Sequence, residues 1–156
     1  MNGQRIAVIV NPQSAHGRTG RLWPEIERGL RHHCGEFSVF RTKATEHAVT
    51  LTRVALQHGY ERIISVGGDG THYEVINGFF ENGALLNPNA VLSILPYGTG
   101  SDLARTLGIP RDGPAFRTVL SEEIVQADVG RISLTRENGE PETAYFLNTC
   151  HVGIGG

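Results

Sequence analysis

The stretch ISVGGDGTHYEVING at residues 64–78 holds four glycines and one aspartate, and three of these glycines and the aspartate lie where an apolar run gives way to a helical pattern. Glycine lets the backbone reach positive φ and lets peptide N–H groups face a ligand, while the start of a helix adds partial positive charge. We expect the helix to begin near Thr71, with Thr71 and Glu74 forming a capping box. The stretch therefore predicts a phosphate-binding turn.

Asp69 brings a negative charge to the same turn, and a divalent cation would reconcile that charge with a bound phosphate. Mg²⁺ is held by one or two carboxylates together with waters and substrate phosphates. A second turn repeats the pattern in LPYGTGSDLAR at residues 95–105, where Gly98 and Gly100 precede Asp102. The chain holds only four aspartates, and two of them occupy these turns. The pair predicts a magnesium-assisted phosphate site.

A third polar turn, NPQSAHGRTG at residues 11–20, follows the first apolar run. Taken alone, each turn is as compatible with chain reversal or helix capping as with a ligand contact. Three such turns at the ends of strands in one sheet favour a shared ligand. Neither the P-loop pattern GxxxxGK[ST] nor the dinucleotide pattern GxGxxG is present, so the phosphate site must use another design.

Apolar runs and helical periodicities alternate through the first 120 residues. Strands are predicted at 6–10, 37–42, 62–66 and 91–95. Helices are predicted at 19–33, at 46–58 and at 101–107, and the helix that begins near Thr71 is predicted to carry Val75, Ile76, Phe79 and Phe80. Pro24 is tolerable in the first of these only if it lies in the first turn. The alternation predicts an α/β fold of three layers, a mainly parallel sheet flanked by helices, with ligands at the carboxyl ends of the strands.

The pattern changes after residue 120. Residues 125–136 and 143–155 alternate like antiparallel strands about the turn ENGEPE, and no helical signal occurs there. Two such strands would leave edges and apolar faces without partners. We therefore predict an α/β nucleotide-binding domain at 1–120 and the start of a β-rich second domain at 121–156, a β-sandwich truncated here because the chain is the front part of a longer protein.

Composition and charge indicate which kinds of partner and which compartment to expect. A formal charge of −2 and 19% charged residues give no basic excess, so a small molecule is favoured as the partner and nucleic acid is not. Cys34 and Cys150 form no CxxC pair and indicate reduced thiols in the cytoplasm. The N-terminal apolar run is too short for a signal peptide or a membrane span, so membrane contact must be peripheral. The sequence leaves the oligomeric state open, a homo-oligomer included.

Six segments together resemble the diacylglycerol kinase catalytic domain family, which includes bacterial lipid kinases and the related sphingosine and ceramide kinases. They are IAVIVNPQSAHG, TKATEHA, GGDGTHYEVING, LPYGTGSDLAR and, more faintly, QADVG and FLNTCHVGIG. GGDGT alone is shared with NAD kinases and phosphofructokinases, whereas its combination with NPxS and PxGTGxDxAR is specific. The resemblance implies an ATP-dependent kinase for a lipid hydroxyl, diacylglycerol or similar. It also implies that the acceptor base and a structural metal site lie beyond Gly156, so no general base is assigned here.

The resemblance further implies roles for residues of this chain. Asp69 and Asp102 are expected to be catalytic and, together with Asp128, to surround Mg²⁺ and its waters. The expected ATP contacts lie in the polar turns and at the end of the second strand, at Asn11, Pro12, Gln13, Ser14, Ala15, Thr42, Gly67, Gly68, Asp69, Gly70, Thr71, His72, Tyr73, Glu74, Gly98, Thr99 and Gly100.

Four positions depart from the pattern of that family. Ala15 replaces a glycine, His72 and Tyr73 replace an apolar residue and an asparagine, and Ser101 replaces an asparagine. His72 has no serine or carboxylate partner evident in the sequence, so we expect a solvated helix-face residue rather than a catalyst. Two alternative functions stay open, an NAD kinase-like phosphotransferase and a nucleotide-binding regulatory module without catalysis.

Overall fold

A computed structural model of the chain describes residues 4–110 and 115–148. Helices and strands alternate along most of it. The elements are β1 (Ile6–Val10), α1 (Arg18–Cys34), β2 (Ser38–Arg41), α2 (His47–Gln57), β3 (Arg62–Gly67), α3 (Asp69–Gly78), β4 (Phe80–Glu81), β5 (Ala84–Leu85), β6 (Val91–Pro96), α4 (Asp102–Thr106), α5 (Ala115–Thr118), β7 (Gly130–Thr135) and β8 (Pro141–Phe146).

The centre of the fold is a parallel sheet of four strands in the order β2-β1-β3-β6. Every neighbouring pair in this sheet runs parallel. The carboxyl ends of all four strands therefore lie along one edge, and the chain leaves that edge through the three polar turns and the turn after β2. The predicted α/β fold and its predicted strands are confirmed.

Both faces of this sheet are covered, which explains the continuous apolar runs of β1 and β3. Alternate residues such as Val8 and Ile64 pack in one cluster with Trp23 and Leu30 of α1. The intervening residues, Ile9 among them, pack in a second cluster against α2 and α3. The period of two along each strand thus assigns its side chains to the two helical layers.

Two predictions about the helices are wrong. Helix α1 begins at Arg18, so Pro24 lies well inside it rather than in the first turn. The helix continues through the proline at the expense of one backbone hydrogen bond, while Trp23, Ile26 and Leu30 are buried on its inner side. Helix α3 ends at Gly78, and Phe80 instead belongs to a short antiparallel hairpin formed by β4 and β5.

Strands β7 and β8 form the predicted antiparallel hairpin, with Gly130 opposite Phe146 and Thr135 opposite Pro141. Strand β7 is shorter than predicted, since residues 122–129 are exposed without regular structure, and β8 begins at Pro141, two residues earlier than predicted. The predicted continuation past residue 148, with Cys150, lies outside the described residues. The division into domains at 1–120 and 121–156 stays a prediction.

Among the described residues, no helix combines the length and apolar character needed to cross a membrane. Cys34 is a free thiol, as predicted. Burial raises its pKa to about 11 despite the opposing effect of Arg62, so the thiol is protonated at neutral pH.

Candidate functional site

The turns after β3 and β6 touch through their backbones. A Cβ atom added to Gly98 would stand 2.3 Å from Cα of Gly68, and one added to Gly68 would stand 3.2 Å from Cα of Gly98. Tyr97 N–H donates to the carbonyl of Gly67 at 2.7 Å, which extends the pairing of β3 with β6 by one residue beyond the end of β6. The predicted convergence of the two glycine turns is therefore confirmed.

The expected positive φ angles of the glycines in these turns are wrong. Positive φ occurs at none of the five glycines of these turns, which are Gly67, Gly68, Gly70, Gly98 and Gly100. At Gly67 a side chain is excluded because a Cβ there would stand 2.5 Å from Oγ1 of Thr71. At Gly68 and Gly98 a side chain is excluded because the two backbones are in contact. Close packing, rather than left-handed backbone geometry, excludes side chains at these three positions.

Gly70 differs from its neighbours. A Cβ added there would meet no atom of the described residues within 4 Å, and Gly70 is exposed at the start of α3. Packing does not require a glycine at this position. The bare backbone leaves the first N–H groups of α3, which have no partner within a helix, open to a ligand.

The Asp69 carboxylate joins the two turns. Its Oδ2 accepts the N–H of Asp102 and its Oδ1 accepts the N–H of Leu103, both at 3.1 Å. Ser101, the N-cap residue of α4, makes no side-chain capping bond, so Asp69 takes that part from the neighbouring turn. Burial acts to raise the pKa of Asp69, but these N–H donors and the nearby His72 outweigh it and hold the pKa below its usual value. Asp69 is therefore ionised at neutral pH.

The predicted capping box within α3 is wrong. The helix begins at Asp69, two residues earlier than expected, and its N-cap residue Gly68 provides no side chain. Thr71 Oγ1 instead accepts the amide of Asn11, in the turn after β1, at 3.2 Å. Glu74 Oε2 accepts the N–H of Ala48, in the first turn of α2, at 3.1 Å. Both side chains serve tertiary contacts rather than their own helix.

The carboxylates of Asp69 and Asp102 both lie close to Gly100. A Cβ added to Gly100 would stand 3.0 Å from Oδ2 of Asp69 and 3.9 Å from Oδ2 of Asp102. The Asp102 carboxylate also pairs with Arg105 at 2.7 Å on the exposed side of α4. Two carboxylate oxygens beside a glycine in a polar turn fit the oxygen ligands that Mg²⁺ prefers.

Asp128 does not join this pair. It is exposed in the segment before β7. Within residues 4–110 and 115–148, no three histidine, cysteine, aspartate or glutamate side chains are grouped closely enough to hold a metal ion. The part predicted for Asp128 stays a prediction.

The turn after β1 is tied to both glycine turns. The Asn11 side chain reaches Thr71 and also accepts the N–H of Gln13 at 2.9 Å. Ser14 Oγ lies 2.5 Å from Oγ1 of Thr19, which donates at 3.5 Å to the carbonyl of Tyr97 after β6. The polar residues of this turn therefore fix its position over the carboxyl edge of the sheet.

The remaining predicted contacts lie along the same edge or near it. Thr42 is buried at the end of β2, where its N–H donates to the carbonyl of Val10 at 2.9 Å. Pro12 and Ala15 are half-buried in the first turn, and Gln13 is exposed there. Tyr73 and Thr99 are exposed, in α3 and in the turn after β6.

His72 is buried, and its expected solvent exposure is wrong. Its side chain is 0% exposed, and Nδ1 lies 2.7 Å from Oγ of Ser65, a residue of β3 that is also 0% exposed. Its Nε2 has no hydrogen-bond partner among the described residues. Burial lowers the pKa of His72 to about 4, although the charge of Asp69 opposes this shift. The imidazole is therefore neutral at physiological pH.

Comparison with known proteins identifies the family of the chain. Residues 5–132 match the family model described as the diacylglycerol kinase catalytic domain. The chain belongs to the diacylglycerol kinase catalytic domain family. The predicted resemblance is confirmed.

Individual members of the diacylglycerol kinase family match almost the whole chain. Diacylglycerol kinase from Bacillus subtilis is 31% identical over 152 residues, which cover 96% of this chain and 46% of that protein. Diacylglycerol kinase from Staphylococcus carnosus is 30% identical over 151 residues, covering 96% of this chain and 45% of that protein. A crystal structure of a diacylglycerol kinase from Bacillus anthracis superimposes with a TM-score of 0.64 at 25% identity, covering 90% of this chain and 46% of that one. The chain thus spans less than half the length of these relatives.

The departures from the diacylglycerol kinase pattern now have structural consequences. Ala15 has φ 51° and is followed by His16 at 56° and Gly17 at 77°, while Ser101 has φ 58°. Glycine and asparagine, the residues usual in the family at positions 15 and 101, tolerate this left-handed conformation better than alanine and serine do. Both substitutions therefore add local backbone strain beside the site.

No direct sign in the sequence pointed to two residues that bond to or within α3, Ser65 and Asn77. Ser65 interrupts a buried apolar strand, and a buried hydroxyl there required a polar partner. Asn77 lies in the last turn of α3, although asparagine is a poor helix former. Each residue is an unusual choice for the strand or helix in which it lies, and each bonds a residue of another element.

The buried pair of His72 and Ser65 predicts a pH-dependent stability. The pKa of His72 is about 6.5 in an unfolded chain and about 4 in the fold, so between these values only the unfolded state binds the extra proton. Stability is fully present above pH 6.5 and falls as the pH is lowered towards 4, by up to about 3 kcal/mol. Urea unfolding followed by circular dichroism from pH 7.5 to 4 measures this slope.

The double variant Ser65→Ala/His72→Leu replaces the pair with apolar side chains and should flatten the slope in that pH window. His32→Gln, on the exposed side of α1, is the matched control for loss of a histidine. An equal slope in the double variant and the wild type would show that His72 is not the titrating group.

Proposed function

We propose that this chain is the nucleotide-binding part of an ATP-dependent lipid kinase that transfers the γ-phosphate of ATP to a lipid hydroxyl, that of diacylglycerol or a similar lipid. The observation that carries the proposal is the meeting of two glycine turns at the carboxyl edge of a parallel sheet, with two carboxylates facing one bare glycine. Membership of the diacylglycerol kinase family supports the reaction class. Cytoplasmic location and peripheral membrane contact follow from a lipid acceptor and are part of the same proposal.

The phosphate side of this proposal rests on the start of α3. The first N–H groups of a helix carry partial positive charge and have no acceptor within the helix. Gly70 exposes them because no side chain covers that position and none is excluded there by packing. Phosphate oxygens of ATP are the ligands that this geometry suits.

The metal side rests on Asp69 and Asp102. When bound, Mg²⁺ would neutralise charge on the β- and γ-phosphates. Asp69 is already held in place by the N–H groups of Asp102 and Leu103, so its remaining lone pairs keep a fixed direction. The exposed carboxylate of Asp102 lies on the other side of Gly100. The two side chains would hold the ion or its waters from both turns.

Phosphoryl transfer depends on positioning and charge neutralisation more than on covalent help from the protein. The residues described above provide those two functions for the nucleotide. We assign no acceptor base among them. In this proposal the base and the lipid-binding surface are contributed by residues after Gly156, and the 156-residue chain alone has negligible turnover.

An acceptor panel tests the proposed reaction. The protein, expressed with the residues that follow Gly156 in its natural chain, is incubated with labelled ATP and separately with diacylglycerol, sphingosine or NAD. We expect label in a lipid product. Labelled NADP without labelled lipid would instead indicate an NAD kinase-like enzyme, and ATP binding without transfer to any acceptor would indicate a regulatory module.

Two glycine substitutions separate ligand binding from packing. Gly70→Ala adds a methyl group where nothing of the described structure is in contact, so stability should be unchanged or rise by about 0.5–1 kcal/mol. The same methyl group should obstruct the phosphates and weaken ATP binding by about tenfold, on the scale of one lost contact to a charged group. Thermal unfolding and calorimetric titration with ATP measure the two effects.

Gly98→Ala is the matched control because its methyl group would collide with Gly68, so we expect a lower unfolding temperature in that variant. Unchanged ATP affinity in Gly70→Ala would remove the start of α3 from the phosphate site.

The two carboxylates make separable contributions. Asp69→Ala removes both a proposed metal contact and the cap of α4, so it should lower stability by about 0.5–2 kcal/mol and also reduce Mg-ATP affinity or turnover at least about tenfold. Asp102→Ala removes an exposed carboxylate with one surface ion pair, so stability should change by less than about 1 kcal/mol while Mg-ATP affinity still falls. Wild-type kinetics in either variant, measured over a range of Mg²⁺ concentrations, would refute the metal role of that residue.

A further inference from the structure

The Asn77 side chain holds the β7–β8 hairpin against α3. Its Nδ2 donates to the carbonyl of Tyr145 at 2.9 Å, and its Oδ1 accepts the N–H of the same residue at 2.9 Å. A third bond, from Nδ2 to the carbonyl of Tyr73 at 2.8 Å, fixes the amide to its own helix. All the hydrogens of the amide are therefore used, and the side chain binds the backbone of β8 as a neighbouring strand would.

The Tyr145 side chain continues this contact into the core beside the candidate site. Its ring stacks on Phe80 with centroids 3.8 Å apart and an interplanar angle of 7°. It is 7% exposed and belongs to one apolar cluster with Ile76, Ile94 and Leu103. These three residues come from α3, β6 and α4, so Tyr145 shares one apolar cluster with residues of all three elements.

Leu103 connects that cluster to the Asp69 carboxylate. Its side chain is 4% exposed within the cluster, and its backbone N–H donates to Oδ1 of Asp69. A change in the position of Leu103 would therefore move one of the two donors that orient Asp69. The path from Asn77 to Asp69 consists of an amide pairing, a packed ring and one hydrogen bond.

We propose that Asn77 is a positioning residue for the phosphate site, which it influences by docking Tyr145 of the hairpin into the apolar cluster that contains Leu103 and so orienting Asp69. This inference rests on the proposed function for its consequence in Mg-ATP binding. Asparagine suits the position because it offers the donor and the acceptor together, whereas aspartate has no donor and leucine has neither. The contact makes the hairpin a part of the site although it holds no ligand.

The test uses the 156-residue protein, with Asn77→Leu as the main variant. Amide hydrogen exchange by NMR follows the N–H groups of Tyr145 and Leu103, and calorimetry follows Mg-ATP binding. We expect exchange of both amides to become at least about tenfold faster, because two bonds to the hairpin are lost. We expect Mg-ATP affinity to fall about threefold or more, and Asp69→Ala/Asn77→Leu to bind no more weakly than Asp69→Ala alone.

Asn138→Leu is the matched control, because the hydrogen bonds of the Asn138 amide among the described residues are made with Glu140 in the hairpin turn rather than with α3. It should leave the exchange of Leu103 and the binding of Mg-ATP unchanged. Asn77→Asp keeps the acceptor for Tyr145 N–H and should lie between the wild type and Asn77→Leu. It also takes the place of the main variant if Asn77→Leu does not fold.

Faster exchange at Tyr145 with unchanged exchange at Leu103 would overturn the inference, since the hairpin would then dock without affecting α4. Equal weakening by Asn77→Leu in the presence and absence of Asp69 would overturn the path through that carboxylate. The exchange measurement involves no nucleotide. If the wild-type protein failed to bind ATP while the two amides remained coupled, the proposed function would fail and the positioning of Leu103 by Asn77 would stand.

Discussion

Helices α2 and α4 begin without a capping side chain of their own, and carboxylates of α3 bond their first N–H groups instead. Asp69 binds α4 and Glu74 binds α2. An N-cap bond of this kind contributes about 0.5–2 kcal/mol, a substantial share of the stability of a domain. The ends of three helices at the carboxyl edge of the sheet are therefore fixed relative to one another by two side chains. The rest of the site depends on that constraint.

Other polar side chains of α3 extend the same arrangement. Thr71 binds the turn after β1, His72 binds Ser65 on β3, and Asn77 binds the backbone of β8. Each bond joins α3 to a different element, so the helix that follows the first glycine turn organises its surroundings. Asn11, Asp69 and Thr71 belong to the segments that resemble the family in sequence, whereas His72 departs from the family pattern. Among the described glycines, Gly70 and Gly100 lie where the surroundings suggest a ligand.

The sheet was predictable because strands buried on both faces leave continuous apolar runs, as in β1 and β3. The site was predictable in outline because glycine and aspartate are unusual choices at the ends of such strands. The hydrogen bonds and close contacts within the site were not predictable from the sequence. Thr71 and Glu74 have the spacing of a capping box, but tertiary partners at Asn11 and Ala48 bind them. His72 has its partner on a strand, and Gly68 is bare because of Gly98, 30 residues later in the chain. Sequence spacing indicates which bonds can form within one helix or turn. The partners and neighbours of these residues lie far away in the sequence, so spacing does not predict them.

The proposed function requires peptide N–H groups at the start of α3 and in the turn after β6 to bind a triphosphate whose Mg²⁺ lies beside Asp69 and Asp102. The decisive measurement is a crystal structure of the protein with Mg²⁺ and a non-hydrolysable ATP analogue. We expect phosphate oxygens within hydrogen-bond distance of the backbone at Gly70 and at Thr99 or Gly100, with the ion or its waters on the two carboxylates. A triphosphate bound elsewhere, with both turns free of ligand, would contradict it.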